Sequence, residues 1–340
     1  MGTRPSTGHP LLTTDPEVAV RALLDGGLAG LPTETVYGLA ADADSPSAVA
    51  RVYAAKGRPA DHPLIVHLAD AGSLPAWAED VPPYARRLAT ALWPGPLTLV
   101  LPRTPRAGDH VTGGQDTVGL RVPAHPVARA VLAAFTAEVP DGGLAAPSAN
   151  RFGRISPTLA AHVLEELDGV LVPGVDVVLD GGPSRVGVES TIVDCTGPVP
   201  VLLRPGGVPA GVVEGVGGSP LGAARSTVRA PGTLASHYAP AARVLLVEAA
   251  TAAHHGDRDP GPGPTGLLAP AHVPTPPGMV RLAAPPDSAA YARDLYAALR
   301  RADALALHRV LAVPPDAGGT RDPAGLADAV RDRLSRAAAR

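Results

Sequence analysis

Lysine is almost absent from this 340-residue chain: Lys56 is the only one, and the other 28 of its 29 basic residues are arginine. A P-loop ends its glycine-rich run in Gly-Lys-Ser or Gly-Lys-Thr. Lys56 sits in Ala55-Lys56-Gly57-Arg58, so the chain has no P-loop, and any lysine chemistry falls on this one residue. The enrichment in Arg, Ala, Gly and Pro reads as the mark of a GC-rich coding genome. That does not explain why one lysine survives. Aromatic residues make up only 3%, too few for a base-stacking platform. The net charge is −3, so no global basic field announces a nucleic-acid binder. Cys195 is the single cysteine, which allows no internal disulfide and suits a reducing compartment. No apolar run approaches the roughly 20 residues of a spanning helix, and no basic start leads into an apolar signal segment. These features predict a cytoplasmic protein without membrane contact. The 11 histidines include no His-Glu-x-x-His pattern, and one cysteine excludes a Cys-rich zinc site. No metal ligand is directly assignable.

What is present is ordinary globular material, 45% hydrophobic and 18% charged, in a length that suits two domains. Residues 1–14 read as a flexible tail. Asp15-Pro16 and Ser45-Pro46 each open a helix with a capping side chain and an early proline. The first closes at Gly26-Gly27 and the second at Lys56-Gly57. Strands are predicted at 28–32, 63–68, 97–101, 117–122, 144–147, 176–180, 188–194 and 201–204, with helices at 82–92, 125–137 and 157–168. This is an α/β pattern, and strands joined by turns alone predict a mixed sheet. Residues 206–240 are rich in glycine and proline and read as an interdomain linker. A second α/β unit over 241–340 has predicted strands at 243–248, 266–270, 279–283 and 305–313 and helices at 287–302 and 323–338. Gly261 to Gly266 formally matches a dinucleotide fingerprint, but two prolines interrupt it and it precedes a strand where the motif should open a helix.

Four constellations can carry chemistry. Lys56-Gly57-Arg58 is either a helix C-terminal cap or a polyphosphate site, with lysine as point charge and arginine as fork. Ala145-Ala146-Pro147-Ser148-Ala149-Asn150 is either a capped loop or a strand end where a ligand approaches the backbone. Arg121 and Arg204 each end an apolar strand. Such a charge needs a partner, either a core carboxylate or an anionic ligand. Gly187 to Asp194 opens with polar Glu189, Ser190 and Thr191 and reads most simply as a half-exposed strand. His67 reads by default as a satisfied core histidine.

Taken in order, these segments form a series. It runs through Leu31-Pro32-Thr33-Glu34-Thr35-Val36-Tyr37-Gly38-Leu39, Lys56-Gly57-Arg58-Pro59, Trp93-Pro94-Gly95-Pro96-Leu97-Thr98 and Ala146 to Asn150. Gly187-Val188-Glu189-Ser190-Thr191, Leu203-Arg204-Pro205-Gly206 and His237-Tyr238-Ala239-Pro240 continue it. The chain strongly resembles the L-threonylcarbamoyladenylate synthases in their long form. The resemblance implies a YrdC-like catalytic domain over 15–205, a twisted mixed sheet with a concave basic groove. It further implies a linker over 206–240 that closes over the site, and a smaller Rossmann-like domain over 241–340.

The implied reaction joins L-threonine, bicarbonate or CO2, and ATP with Mg²⁺ into threonylcarbamoyl-AMP and pyrophosphate. The product then serves transferase machinery that modifies the adenosine next to the anticodon of certain tRNAs, with a weak tRNA contact as a further expectation. By position, the resemblance places threonine on Thr35, His67, Arg121, Ser148 and Ser190. It places ATP on Arg58, His62, Thr117, Ala146, Ser148, Asn150, Ser156, Arg204 and Tyr238, and makes Lys56 and Arg58 catalytic. Two departures stand out. Ala230 to Ser236 lacks the Met and Arg that much of the family carries before His-Tyr-Ala-Pro, and His62 stands where relatives often have asparagine. The competing reading is an RNA-binding module of the same fold, with Lys56, Arg58, Arg121, Arg151, Arg154, Arg185 and Arg204 lining a basic surface.

Overall fold

The computed structural model describes residues 9–223, 227–232, 238–253, 263–316 and 325–339. The start of the tail, His237 and the departures at 233–236, His254-His255, Gly261-Pro262 and the predicted helix start at 323 lie outside the described residues.

Among the described residues, ten strands form one mixed sheet. They are β1 Leu12–Thr13, β2 Ala29–Leu31, β3 Gly38–Asp42, β4 Ile65–His67, β5 Leu97–Pro102, β6 Thr117–Arg121, β7 Leu144–Ala145, β8 Val177–Leu179, β9 Thr191–Asp194 and β10 Val201–Arg204. Their order is β1-β8-β2-β3-β7-β4-β6-β5-β9-β10. Parallel pairs such as β4 with β6 sit beside antiparallel ones such as β2 with β3, as the turn-linked strands predict. A second sheet holds β11 Arg243–Leu246, β12 Thr265–Leu268, β13 Val280–Ala283 and β14 Arg309–Ala312. Its order is β11-β14-β12-β13, and every pair in it is parallel.

The capped helices form where local chemistry places them. Asp15 accepts from the Glu17 amide at 2.9 Å and Ser45 from the Ala48 amide at 3.3 Å, each just ahead of its proline. The helix Pro46–Lys56 ends on Gly57 at φ 60°, a left-handed position that glycine fills without strain.

Four expectations need correction. Leu12–Thr13 is not tail: it pairs with β8 in parallel, and Leu11 beside it is buried. β3 has no counterpart in the predicted strands, because both faces of Gly38 to Ala41 are buried and the segment lacks the alternation of a half-exposed strand. The stretch 206–240 is not all linker: Ala210–Gly217 is a helix, capped by Gly218 at φ 72°, with Val213 in the core of the large domain. The helix predicted from 157 begins at Ala160, because Ser156 is bonded elsewhere and the Thr158 amide is held by His162 Nδ1 at 3.3 Å.

The two units share a core. Val36, Ile155 and Val188 of the large domain pack in one buried cluster with Tyr291, Leu295, Tyr296, Val330 and Leu334 of the small one. Gly187, at φ 81°, lies so close to the helix Ser288–Ala304 that a Cβ would collide with the backbone of Ala292 and Arg293. The chain leading into Glu189 is therefore set against the second domain.

Candidate active site

The β2–β3 connection supplies the first wall. Thr33 Oγ1 donates to the Val36 carbonyl at 2.6 Å and lies 2.8 Å from Thr35 Oγ1, which fixes the Thr35 side chain. β4 and β6 supply the second. Their parallel register sets His67 beside Arg121 at the strand ends, where open α/β sheets present ligands. Ile65 and His67, two apart, share one face. The third wall is the chain after β7, Ala146-Pro147-Ser148, and the fourth is Glu189-Ser190 just ahead of β9. Arg204 from β10 and Pro231, Gly232 and Tyr238 from the linker complete the enclosure. These walls bound one cavity that is open to solvent.

Thr35, Arg58, His67, Arg121, Ala146, Ser148, Ser190, Arg204 and Tyr238 all line this one cavity. They come from eight separate stretches of the chain. The other residues assigned by resemblance lie around it. Thr117 opens onto an adjoining apolar recess with Val100, Ile192, Ala230 and Pro231. His62 meets Phe152 edge to face at 5.3 Å, and its carbonyl accepts from Arg58 Nε at 3.4 Å. Asn150 Nδ2 donates to the carbonyls of Arg151 and Arg154, while its buried Oδ1 has no partner in the structure. Ser156 Oγ donates to Glu189 Oε1 at 2.6 Å.

Lys56 does not reach the cavity lining. Its buried Nζ donates to the carbonyls of Ser148 at 2.5 Å and Asn150 at 2.6 Å. Burial, with Arg58 nearby, holds its pKa well below the ordinary lysine value. Arg58 does reach the cavity. It donates to the Pro63 carbonyl at 2.9 Å, and burial brings it down to about 10.

Arg121 pairs with a core carboxylate, one of its two open readings. Its Nη2 meets Glu34 Oε1 at 2.6 Å, and the other Glu34 oxygen accepts from the Ala124 amide at 3.0 Å. Burial alone would raise the Glu34 carboxyl, and the Arg121 charge overrides it and lowers the pKa. His67 is buried, and burial together with Arg121 pushes it down to about 3, so the ring is neutral. Its Nδ1 has no partner within the protein and stands available to a ligand. Arg204 is spent on the site's own frame. Its Nε and Nη2 hold the Ser190 carbonyl at 3.1 and 2.9 Å, and its Nη1 holds the Pro231 carbonyl at 2.9 Å.

Glu189 and Ser190 are not part of a half-exposed strand. β9 begins one residue later and all four of its residues are buried. Ser190 Oγ bonds Thr98 Oγ1 at 2.8 Å. Four of the seven cations expected along a basic surface, Lys56, Arg58, Arg121 and Arg204, are buried. Glu34, Arg333 and Tyr296 frame the site, and the sequence assigns none of them a role. The resemblance quotes Glu34 within a motif but assigns it no role.

Residues 21–206 match the family model of Sua5, YciO and YrdC, described as telomere recombination. The chain belongs to this family. Residues 207–339 match the model for the C-terminal domain of threonylcarbamoyl-AMP synthase. The threonylcarbamoyl-AMP synthase of Pyrococcus abyssi is 45% identical over 237 residues, 68% of this chain and 67% of that one. That of Bacillus subtilis is 43% identical over 248 residues, 70% of this chain and 68% of the other. The crystal structure of P. abyssi Sua5 complexed with L-threonine superposes with a TM-score of 0.80 at 38% identity, covering 95% of this chain and 94% of that chain. The likeness therefore extends over both domains of this family member.

Glu189 gives the site a defined response to acid. Burial would raise its carboxyl, but Arg333 and Arg204 beside it, with hydrogen bonds from Ser156 and Arg333, hold it at about 2 against an ordinary 4.5. A depressed carboxylate stabilises the fold fully above its unfolded pKa and loses that contribution as pH falls through its folded one. The difference in melting temperature between the wild type and Glu189→Gln should therefore be constant above about pH 5. It should narrow as pH falls from 4.5 toward about 2. Thermal melts across that range check this, and a difference unchanged down to about pH 2 would contradict it.

Proposed function

We propose that this chain is a threonylcarbamoyl-AMP synthase, an ATP-dependent nucleotidyltransferase that joins L-threonine, bicarbonate or CO2, and ATP and releases pyrophosphate. The observation that carries the reading is the single cavity. All five residues placed on threonine by resemblance line it, together with Arg58, Ala146, Arg204 and Tyr238. The relatives' shared name supports the same reading.

The residues suit the chemistry. Arg121 is cationic and already oriented by Glu34, so a threonine carboxylate meets a fixed fork. Neutral His67, with Nδ1 unpartnered, offers a hydrogen bond to the threonine hydroxyl. A site built to bond that hydroxyl rejects analogues without it. Ser148 and Ser190 complete the polar wall. The neutral threonine amine adds to the carbon of CO2 and releases a proton, which leaves a carbamate. A carbamate oxygen then bonds to the α-phosphorus of ATP as the bond to pyrophosphate breaks. Arg58 faces the cavity and stabilises the charge that builds on the phosphoryl oxygens. Thr117, which the resemblance places on ATP, borders the adjoining recess walled by Val100, Ile192 and Ala230.

No group of three or more His, Cys, Asp or Glu side chains suited to a metal occurs among the described residues. Mg²⁺ would enter with the phosphates of ATP, as part of the substrate. The product passes to a transferase that acts on tRNA. No helix among the described residues is long and apolar enough to cross a membrane.

Lys56 is a positioning residue in this scheme. It pins two carbonyls of the loop that carries Ser148, and the Phe152 amide returns to the Lys56 carbonyl at 2.7 Å. Arginine presents a broad planar fork in place of a compact amine.

Pyrophosphate release from ATP should require both L-threonine and bicarbonate. Release that ignored either one would overturn the synthase reading. In the same assay Lys56→Arg should lower kcat/KM by about 100-fold, the scale of an ångström-sized misplacement. Wild-type turnover by that variant would remove the lysine from the account.

A further inference from the structure

The C-terminal helix Ala327–Ala338 buries Val330, Leu334 and Ala337 along one face, as an amphipathic helix should. Arg333 lies on that same buried face at 1% exposure. A charge there is costly unless it is paired and hydrogen-bonded. Docking alone does not call for it, since apolar residues in place of a buried ion pair are often neutral or stabilising.

The partners of Arg333 explain its place. Its Nε donates to Glu189 Oε2 at 2.7 Å, and Glu189 directly precedes Ser190 of the cavity. Its Nη2 donates to the Pro205 carbonyl at 3.0 Å, directly after Arg204. Its guanidinium carbon stands 5.2 Å from the ring centre of Tyr238, another cavity residue. Tyr296, from the helix Ser288–Ala304, adds its hydroxyl to both Glu189 oxygens at 3.0 and 2.9 Å and its ring to Tyr238 at 5.7 Å. One side chain of the second domain thus touches three separated segments of the large domain and linker, each within one residue of the cavity wall or part of it. The Arg300–Glu166 ion pair elsewhere on the interface lacks this pattern. Arg300 pairs with Glu166 at 3.2 Å, and Glu166 lies outside the cavity lining.

We propose that Arg333 is a positioning residue for the synthase reaction, acting through Glu189, Pro205 and Tyr238 to set the cavity wall formed by Ser190, Arg204 and Tyr238. The second domain then works as a fixed brace for this wall, which carries the ATP residues Arg204 and Tyr238 beside the threonine residue Ser190. Neither Arg333 nor Glu189 needs to touch the reacting atoms. This inference rests on the synthase reading for the identity of the ligands.

Full-length Arg333→Met, Glu189→Gln, the double variant, Tyr296→Phe and Glu166→Gln test it. The readouts are steady-state kinetics and calorimetric ATP binding, both below each variant's melting temperature. Arg333→Met should raise the KM and the Kd for ATP at least about tenfold. The double variant should be no worse than the more impaired single one, because the two residues act as a unit. Tyr296→Phe keeps the ring and loses only the hydroxyl, so it should fold and still weaken ATP by several-fold. Glu166→Gln breaks a different interface pair and should lower stability with the kinetic constants unchanged. If Arg333→Met and Tyr296→Phe lowered only the melting temperature and left ATP KM and Kd at wild-type values, the brace would be refuted. If the wild type showed no threonine-dependent turnover, the synthase reading would fail. The ATP affinities would then still decide the brace on their own.

Discussion

A carboxylate buried between two domains organises this molecule. Glu189 has lost its water and must be answered by protein donors, and it is answered by Ser156, Tyr296 and Arg333. Two of the three come from the second domain. The closeness that this requires is visible in the backbone, where Gly187 leaves no room for a side chain beside Ala292 and Arg293. The next residue along, Ser190, faces the cavity with its carbonyl held by Arg204. Domain docking and site geometry therefore depend on the same few hydrogen bonds, and the small domain is part of how the cavity keeps its form.

The two central cations of the cavity illustrate how the protein manages charge in a partly dry site. Arg121 is satisfied by Glu34 before any ligand arrives, and Arg204 by carbonyls of Ser190 and Pro231. A cation oriented in advance loses little freedom when an anion binds. The cost is a carboxylate that must share its partner with the substrate. Glu34 also holds the Ala124 amide, so it stays anchored when it shares.

Legibility in the sequence followed the range of the interaction. Helix starts at Asp15-Pro16 and Ser45-Pro46, and the stop at Gly57, are local chemistry and stand where the residues put them. The motif residues were found through resemblance, and the fold collects nine of them around one cavity. Partners were not legible. Glu34 and Arg121 are 87 positions apart, and Glu189 and Arg333 are 144 apart, with no periodicity to link them. β3 was missed because a strand covered on both faces shows no alternation. Glu189 was misread because a polar residue at a strand start looks exposed until its partners from another domain are known. Lys56 changed meaning most. As the lone lysine it suggested a phosphate contact, and the fold instead gives it two carbonyls of the Ser148 loop to hold.

The central claim is that the cavity builds a carbamate on threonine and joins it to AMP. Isotopically labelled bicarbonate, supplied with ATP and L-threonine and followed by mass spectrometry of the nucleotide products, tests it most directly. The account predicts a threonylcarbamoyl-AMP species carrying the label, absent when threonine is left out. Pyrophosphate release with only unlabelled AMP or unlabelled aminoacyl-AMP among the products would contradict it.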